Sequence, residues 1–245
     1  MQTKSGVAGL AQARQTPLRP PPFIEPIWFE WLTLAGLFLF AAWLLGVQGV
    51  WALLLNSDPT GITLLIVIIF TGGTFWCGSR ARELARQREA IGPALMPGAA
   101  ADPEQCWVAE YLHGLRSQPA DPTAPVDLLL ERTHGTHATA WWVNGIQLKL
   151  GLLGKVIGFS ILALQIGEIQ SFDPSEAQTL LKSLTAGLGV ALLTTMVGLV
   201  GNILLGLQLT RLDRFADEIV ALAQMHSIAL AAEPASPPES VERGN

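Results

Sequence analysis

Two long apolar segments that carry small and polar residues at helical spacing constrain this chain more than any other feature. Residues 150–167 read LGLLGKVIGFSILALQIG, and residues 184–209 read LTAGLGVALLTTMVGLVGNILLGLQL. Roughly 20 apolar residues are enough to cross a bilayer. Glycines and short hydroxyl side chains gain little from lipid, but they let helix backbones approach closely and hydrogen-bond. We therefore expect two membrane helices that pack against protein.

Two further apolar segments precede this pair, at residues 31–55 and 61–76, and half of the 245 residues are hydrophobic. The predicted fold class is all-α, a polytopic membrane protein with four transmembrane helices and cytoplasmic helical extensions. The predicted organisation is a disordered N-terminus at 1–22, two peripheral transmembrane helices within 23–78, a cytoplasmic helical loop at 79–148, two pore-lining transmembrane helices within 149–209, a cytoplasmic helix at 210–232 and a disordered tail at 233–245.

The positions of the basic residues predict the orientation of these helices. Lys and Arg are enriched in short cytoplasmic loops. Four arginines follow the second apolar segment, at 80, 82, 86 and 88, and two follow the fourth, at 211 and 214, whereas the turn at 56–60 has none. We expect both termini and the long loop in the cytoplasm of a cell whose inner membrane holds the protein. The net charge of −5 gives no argument for a nucleic-acid partner.

Other signals are weaker and predict neither a cofactor nor an enzyme. Cys77 and Cys106 are expected on the cytoplasmic side as reduced, structural thiols rather than as a disulfide. His134 and His137 have metal-ligand spacing but no nearby third ligand, and Gly135 between them makes a regular helix less favourable. No phosphate-binding glycine loop and no pairing of nucleophile with base is recognisable in the sequence.

The chemistry-bearing residues form a polar stripe on each of the last two segments. Lys155, Gly158, Leu162 and Gln165 recur at steps of three or four residues, which puts them on one helix face. Thr hydroxyls at membrane depth both donate and accept, so they can pass protons along; the alternative is that they bond back to carbonyls of the preceding turn. The predicted ion pathway or partner-facing surface comprises Lys155, Gly158, Gln165, Thr185, Thr194, Thr195, Gly198 and Asn202. The predicted helix-packing positions are Gly151, Gly154, Gly189 and Gly201.

The segment GLLGKVIG at 151–158, followed by ALLTTMVGL at 191–199, resembles the paired signature of the MotA/TolQ/ExbB proton-channel family. The resemblance covers residues 130–220, and the two extra helices are similar to the four-helix, stator-like branch. It implies a homopentamer around two copies of a single-span MotB/TolR/ExbD-like subunit whose membrane Asp carries the ion. By position, Thr195 matches the family threonine that faces this Asp. The four apolar segments themselves contain no Asp or Glu.

Lys155 departs from the family, which usually has Thr at this position. A charge at mid-membrane costs about 2.5–3.5 kcal/mol on insertion scales, and intramembrane ionisable residues are functional candidates. Three interpretations stay open. Lys155 pairs with the partner's acidic residue, or it bars cations from a resting channel, or its long stem lets the ammonium reach the interface.

The function implied by the resemblance is that of an inner-membrane subunit in an ion-motive-force-driven rotary motor or energy-transducing complex. The transported ion is expected to be a proton, and the expected partners are further copies of the chain, the Asp-bearing subunit and membrane lipid. Two alternatives remain: a non-conducting membrane scaffold of the same fold, and a Lys-lined passive channel or transporter that selects anions.

Overall fold

A computed structural model of the chain describes residues 27–58, 60–94, 106–117, 121–167 and 174–232. All regular structure in these residues is α-helical, which confirms the predicted all-α class for this part of the chain. The expectations for residues 1–22 and 233–245 lie outside the described residues. The helices are α1 (Ile27–Val47), α2 (Val50–Ser57), α3 (Ile62–Ala94), α4 (Trp107–Ser117), α5 (Thr123–Gly167) and α6 (Pro174–Ala232).

Four of these helices, α1, α3, α5 and α6, are long and apolar enough to cross a membrane, as the sequence predicts. Large apolar side chains on them face outward rather than into the chain. Leu39 of α1 is 73% exposed, Phe75 of α3 is 78% exposed and Leu164 of α5 is 70% exposed. Contiguous apolar surface of this kind is typical of contact with lipid or with another protein.

The first apolar segment is not one continuous helix, in contrast to the span expected for residues 31–55. Helix α1 ends at Val47 and α2 begins at Val50. Between them Gly49 has φ 73°, a left-handed conformation that glycine adopts without steric cost. The indole Nε1 of Trp51 donates a hydrogen bond to the carbonyl of Ala42 at 2.9 Å, which ties the two pieces together.

Helix α3 begins at a turn organised by one carboxylate. Asp58 accepts the backbone N–H of Thr60 at 2.9 Å and that of Thr63 at 2.6 Å. Amides in the first turn of a helix lack partners within it, so a side-chain acceptor stabilises the helix start. The 33 residues of α3 then continue past the apolar segment into the arginine-rich part of the chain.

Helices α5 and α6 form a long antiparallel hairpin that organises the rest of the fold. At 1.5 Å per residue, the 45 residues of α5 and the 59 of α6 measure about 68 and 88 Å, well beyond a hydrocarbon core of about 30 Å. Helix α5 runs without interruption through Gly135, although glycine disfavours a helix at that position. The side chain of Glu131 lies over Gly135, where a Cβ would otherwise stand.

The ends of α5 and α6 that lie beside the arginine-rich half of α3 pack with α3 and α4. We call this four-helix unit the basal bundle. Its core is a continuous set of buried side chains from all four helices. Both cysteines are buried and free, in keeping with the prediction of structural thiols. Representative core residues are Cys77, Leu84, Cys106, Tyr111, Leu112, Leu129, Leu209, Leu212, Phe215 and Ile219.

Candidate functional site: the α5–α6 interface

The apolar halves of α5 and α6 meet almost backbone to backbone. A methyl group on Gly154 would lie 2.6 Å from the hydroxyl of Thr194, and one on Gly158 would lie 2.9 Å from Cβ of Ala191. A methyl group on Gly151 would lie 3.1 Å from the carbonyl oxygen of Thr194. Small residues are needed wherever helices approach this closely. Gly151, Gly154 and Gly158 therefore pack against α6 within one chain.

This arrangement reassigns several of the predicted residues. Gly151 and Gly154 lie at the helix contact as predicted, and Gly201 also lies there, against the side chain of Gln147. Gly158 and Gly198, predicted for the pathway, are buried in the same contact.

Gly189, predicted to pack, has no described atom within 4 Å of the position its Cβ would take. Gly187 occupies the contact instead, where an added Cβ would lie 3.3 Å from Cβ of Leu162. The two glycines differ by two positions, which on a helix turns the second one away from the partner helix.

The three predicted threonines have different environments. Thr194 is buried, and its hydroxyl donates to the carbonyl of Val190 at 2.9 Å. For Thr194, the interpretation that the hydroxyl bonds to the preceding turn of its own helix therefore applies. Thr195 is half-buried; its hydroxyl donates to Ala191 at 2.8 Å and also lies 3.2 Å from the carbonyl of Gly151 on α5. Thr185 is exposed and donates to Leu181 at 2.7 Å. Only Thr195 combines a contact across the helices with access from outside.

Lys155 projects from the outer surface of the hairpin. Its Nζ lies 5.9 Å from the ring centroid of Phe159, and its neighbours Leu152 and Val156 are also exposed. The face predicted for Lys155 and Gly158 is thus divided, with the glycine inside and the lysine outside. Within the described part of the chain, no carboxylate oxygen lies within 4.0 Å of this ammonium.

Amide side chains continue the polar line along the interface. Asn202, a predicted site residue, donates from Nδ2 to the carbonyl of Asn144 at 2.9 Å. Gln147 donates to Oδ1 of Asn144 at 3.3 Å. The Oε1 atoms of Gln147 and Gln165 are buried and have no hydrogen-bond partner among the described residues. Asn144 and Gln147 were missed in the sequence, although their spacing from Gly151 puts all three on one face.

A second polar cluster lies farther along the hairpin, in the basal bundle. Nδ1 of His137 lies 2.6 Å from Oδ1 of Asp213, and the indole of Trp141 donates to Oδ2 of the same carboxylate at 2.8 Å. One turn away, Nε2 of His134 lies 3.1 Å from Oδ1 of Asp217. The two histidines therefore pair with carboxylates of α6. In the described ranges no three His, Cys, Asp or Glu side chains are grouped to hold a metal ion.

Comparison of the chain with protein-family models, with curated proteins and with solved structures finds no match. The resemblance to the MotA/TolQ/ExbB family rests on the residues at 151–158 and 191–199, and it stays a prediction.

Proposed function

We propose that this chain is a bacterial inner-membrane subunit of a rotary motor or energy-transducing complex driven by an ion-motive force, with the proton as the ion. In this proposal α1, α3, α5 and α6 cross the membrane, and both termini and the loop at 79–148 lie in the cytoplasm. Five copies surround two copies of a single-span, MotB/TolR/ExbD-like subunit that carries a membrane Asp.

The observation that carries the proposal is the position of Lys155. Its side chain is exposed on an apolar surface, and the apolar segments 150–167 and 184–209 contain no Asp or Glu. A charge at such depth costs about 2.5–3.5 kcal/mol unless something compensates it. A carboxylate on a neighbouring helix at the same depth supplies that compensation, which supports a partner with an acidic residue in its span.

Thr195 supports the same partner chemistry. Its hydroxyl proton is engaged by the carbonyl of Ala191, while its oxygen retains acceptor capacity at the edge of the interface. A protonated partner carboxyl group can donate a hydrogen bond to that oxygen. The buried hydroxyl of Thr194 is enclosed by the helix contact and does not offer this.

These two side chains suggest how ion transfer is converted into movement. A charged partner Asp is attracted to Lys155, whereas the neutral, protonated form loses that attraction and can hydrogen-bond to Thr195. Each proton transfer therefore changes which position the partner helix favours. Because two partner helices cannot match five equivalent positions at once, successive transfers favour small rotational steps of the partner inside the ring.

The test is reconstitution with the predicted partner. A small single-span protein with an Asp early in its span is sought in the neighbouring reading frame and co-purified with the full chain. The complex is placed in liposomes that contain a pH-sensitive dye, and an ion gradient is applied. We expect proton flux that needs both proteins and is lost when the partner's Asp is replaced by Asn.

A Lys-lined passive anion channel is the second candidate, because exposed Lys155 side chains would line such a pore. It predicts chloride flux through liposomes that contain the chain alone. Chloride flux without the partner, or a stable complex with no flux of any kind, would contradict the proposed motor. The latter result is the one expected of a non-conducting scaffold.

A further inference from the structure

One imidazole in the basal bundle is contacted by side chains of α3 and α6, and through Arg80 it is linked to α4. His137 of α5 is 2% exposed, and its two ring nitrogens face different helices. Nδ1 lies 2.6 Å from Oδ1 of Asp213 on α6, and Nε2 lies 3.4 Å from Nε of Arg80 on α3. Arg80 also stacks over the ring of Trp107 on α4, 5.2 Å from its centroid.

This geometry defines the protonation state of His137 in the arrangement described. A carboxylate only accepts, so Nδ1 carries the hydrogen that it donates to Asp213. A guanidinium only donates, so Nε2 must be the unprotonated acceptor toward Arg80. The imidazole is therefore neutral here, and its one open position for a further proton is the nitrogen that faces Arg80.

We propose that His137 and Asp213 form a proton-binding site, and that Arg80 responds to its occupation. A proton added at Nε2 creates an imidazolium that Asp213 stabilises and that repels the guanidinium of Arg80. Arg80 then leaves the imidazole. The proton moves between water and Nε2, and no other bond is made or broken.

The contacts of Arg80 indicate what its movement does. Its guanidinium donates to the carbonyl of Arg132 at 2.6 Å and to that of Thr133 at 3.0 Å, both on α5. Together with the stacking on Trp107, these bonds make Arg80 one of the polar links between α3, α4 and α5, beside the hydrogen bond from the Trp107 N–H to Gln87 and the pair of Arg132 with Glu110. Protonation of His137 therefore removes one of the polar contacts that attach α3 and α4 to the hairpin.

Other ionisable groups face this site from each helix packed around it. From α3, the negative charge of Glu83 attracts the guanidinium of Arg80, and the thiol of Cys77 interacts electrostatically with Asp213. From α5, a charge on His134 disfavours a charge on His137, and His134 is itself paired with Asp217 of α6. From α4, Glu110 is engaged by Arg132 at 3.4 Å. Burial disfavours a charge on His137 most; Asp213 favours that charge, and Arg80 opposes it.

Asn144, Gly206 and Trp141 lie between this site and the α5–α6 interface. Asn202 bonds to Asn144, and a methyl group on Gly206 would lie 3.2 Å from Nδ2 of Asn144 and 3.8 Å from the ring of Trp141. The glycine thus lets the amide and the indole approach, and the indole bonds to Asp213. The role of His137 as the inner proton acceptor of the ion pathway rests on the proposed function; its ability to bind a proton does not.

The first test titrates His137 in the full chain, in liposomes, by NMR of ¹⁵N-labelled histidine rings. The chain has four histidines, and His137 is assigned from the signal lost in His137→Gln. Burial, together with the charge of Arg80, holds the pKa of His137 below its ordinary value of about 6.5, so we expect this ring to become doubly protonated only as the pH falls below that value. Asp213→Asn should move the midpoint to lower pH, and Arg80→Gln should move it to higher pH.

Arg82→Gln is the matched control, because Arg82 lies on the same helix but stacks on Trp28, 4.2 Å from its centroid. It should leave the His137 midpoint unchanged. If Asp213→Asn does not fold, Asp213→Glu keeps the charge and should retain the titration. A ring that stays neutral to pH 5, or midpoints that move in the same direction in the Asp213 and Arg80 variants, would overturn the proton site.

The second test measures proton flux in the complex with the partner. His137→Gln should lower the flux at least tenfold while the complex remains assembled. Unchanged flux, with His137 still titrating in the parent protein, would remove the site from the ion pathway. That outcome differs from failure of the motor proposal, in which flux would not depend on the partner's Asp in the first place.

Discussion

A methyl group on Gly198 would lie 3.0 Å from the α carbon of Gly151 and 2.7 Å from the carbonyl oxygen of Gln147. Both atoms belong to the backbone of α5 and cannot rotate aside as a side chain would. The two helices thus meet at a fixed separation. This contact turns the small residues inward and leaves Lys155 on the outer surface.

Gly198→Ala should therefore destabilise the hairpin. Overpacking of a close contact typically costs about 1–3 kcal/mol, and here the methyl group would meet backbone. Thermal unfolding of the purified chain in detergent should show a clearly lower midpoint. Gly145→Ala is the matched control, since no described atom beyond its own stretch of helix backbone lies within 4 Å of the position its Cβ would take. Equal midpoints for the two variants would contradict the backbone contact.

Asn202→Ala should weaken the hairpin by a smaller amount. Its amide donates across the interface to the carbonyl of Asn144 at 2.9 Å. Hydrogen bonds between membrane helices contribute about 0.6 kcal/mol on average. Thr210→Ala is the comparison, because the Thr210 hydroxyl bonds only within its own helix, to Gly206. If unfolding in detergent gave the same loss for both, the Asn202 bond would have no special role.

Lys155→Ala should separate folding from activity. The side chain is exposed, and in the described structure it has no ion pair, so the variant should fold and assemble like the parent chain. Proton flux in the complex should nevertheless be lost, because the partner's carboxylate loses its counter-charge. Lys155→Arg, which keeps the charge, should retain part of the flux. Full flux in Lys155→Ala would remove this residue from the mechanism.

Asp58→Ala should make stability depend on pH differently from the parent chain. Burial opposes ionisation of Asp58, but the hydrogen bonds from Thr60 and Thr63 outweigh it and hold its pKa below the usual value. A carboxylate whose pKa is lower in the folded state stabilises the fold above the unfolded-state pKa, about 4, and this contribution is lost as the pH falls further.

At neutral pH the Ala variant should lose about 1 kcal/mol, the typical cost of removing a side chain that caps a helix. The difference from the parent chain should shrink as the pH falls below about 4. Asp58→Asn keeps an acceptor and has no carboxylate to titrate, so its smaller loss should not change in that pH window. A pH-independent loss in Asp58→Ala would show that the ionised carboxylate is not what matters.

The helical class and the four long apolar helices were predictable from composition and periodicity, because apolar segments of this length have few other stable structures. The break at Gly49 was not predictable, since no charged residue or proline interrupts the apolar segment there. It depends on the left-handed conformation of this glycine. Helix α5 continues through Gly135 although helix propensity disfavours glycine, because packing in the long hairpin overrides that preference.

Individual residues of the candidate site were predictable from the sequence, but the contacts that they make across α5 and α6 were not. The spacing of Gly151 and Gly154 indicates a close helix contact, yet which face meets α6 depends on the register of the hairpin. The pairing of His137 with Asp213 needs the same register, since the two lie 76 positions apart in sequence. Spacing along a single helix does not contain that information.

The most direct test of the account is a cryo-EM map of the complex formed by the full chain and its single-span partner. The account predicts a ring of five chains with α5 and α6 innermost, and with Lys155 and Thr195 facing two enclosed helices whose Asp lies at their level. A ring in which these two side chains face lipid, or one that encloses no other polypeptide, would contradict it.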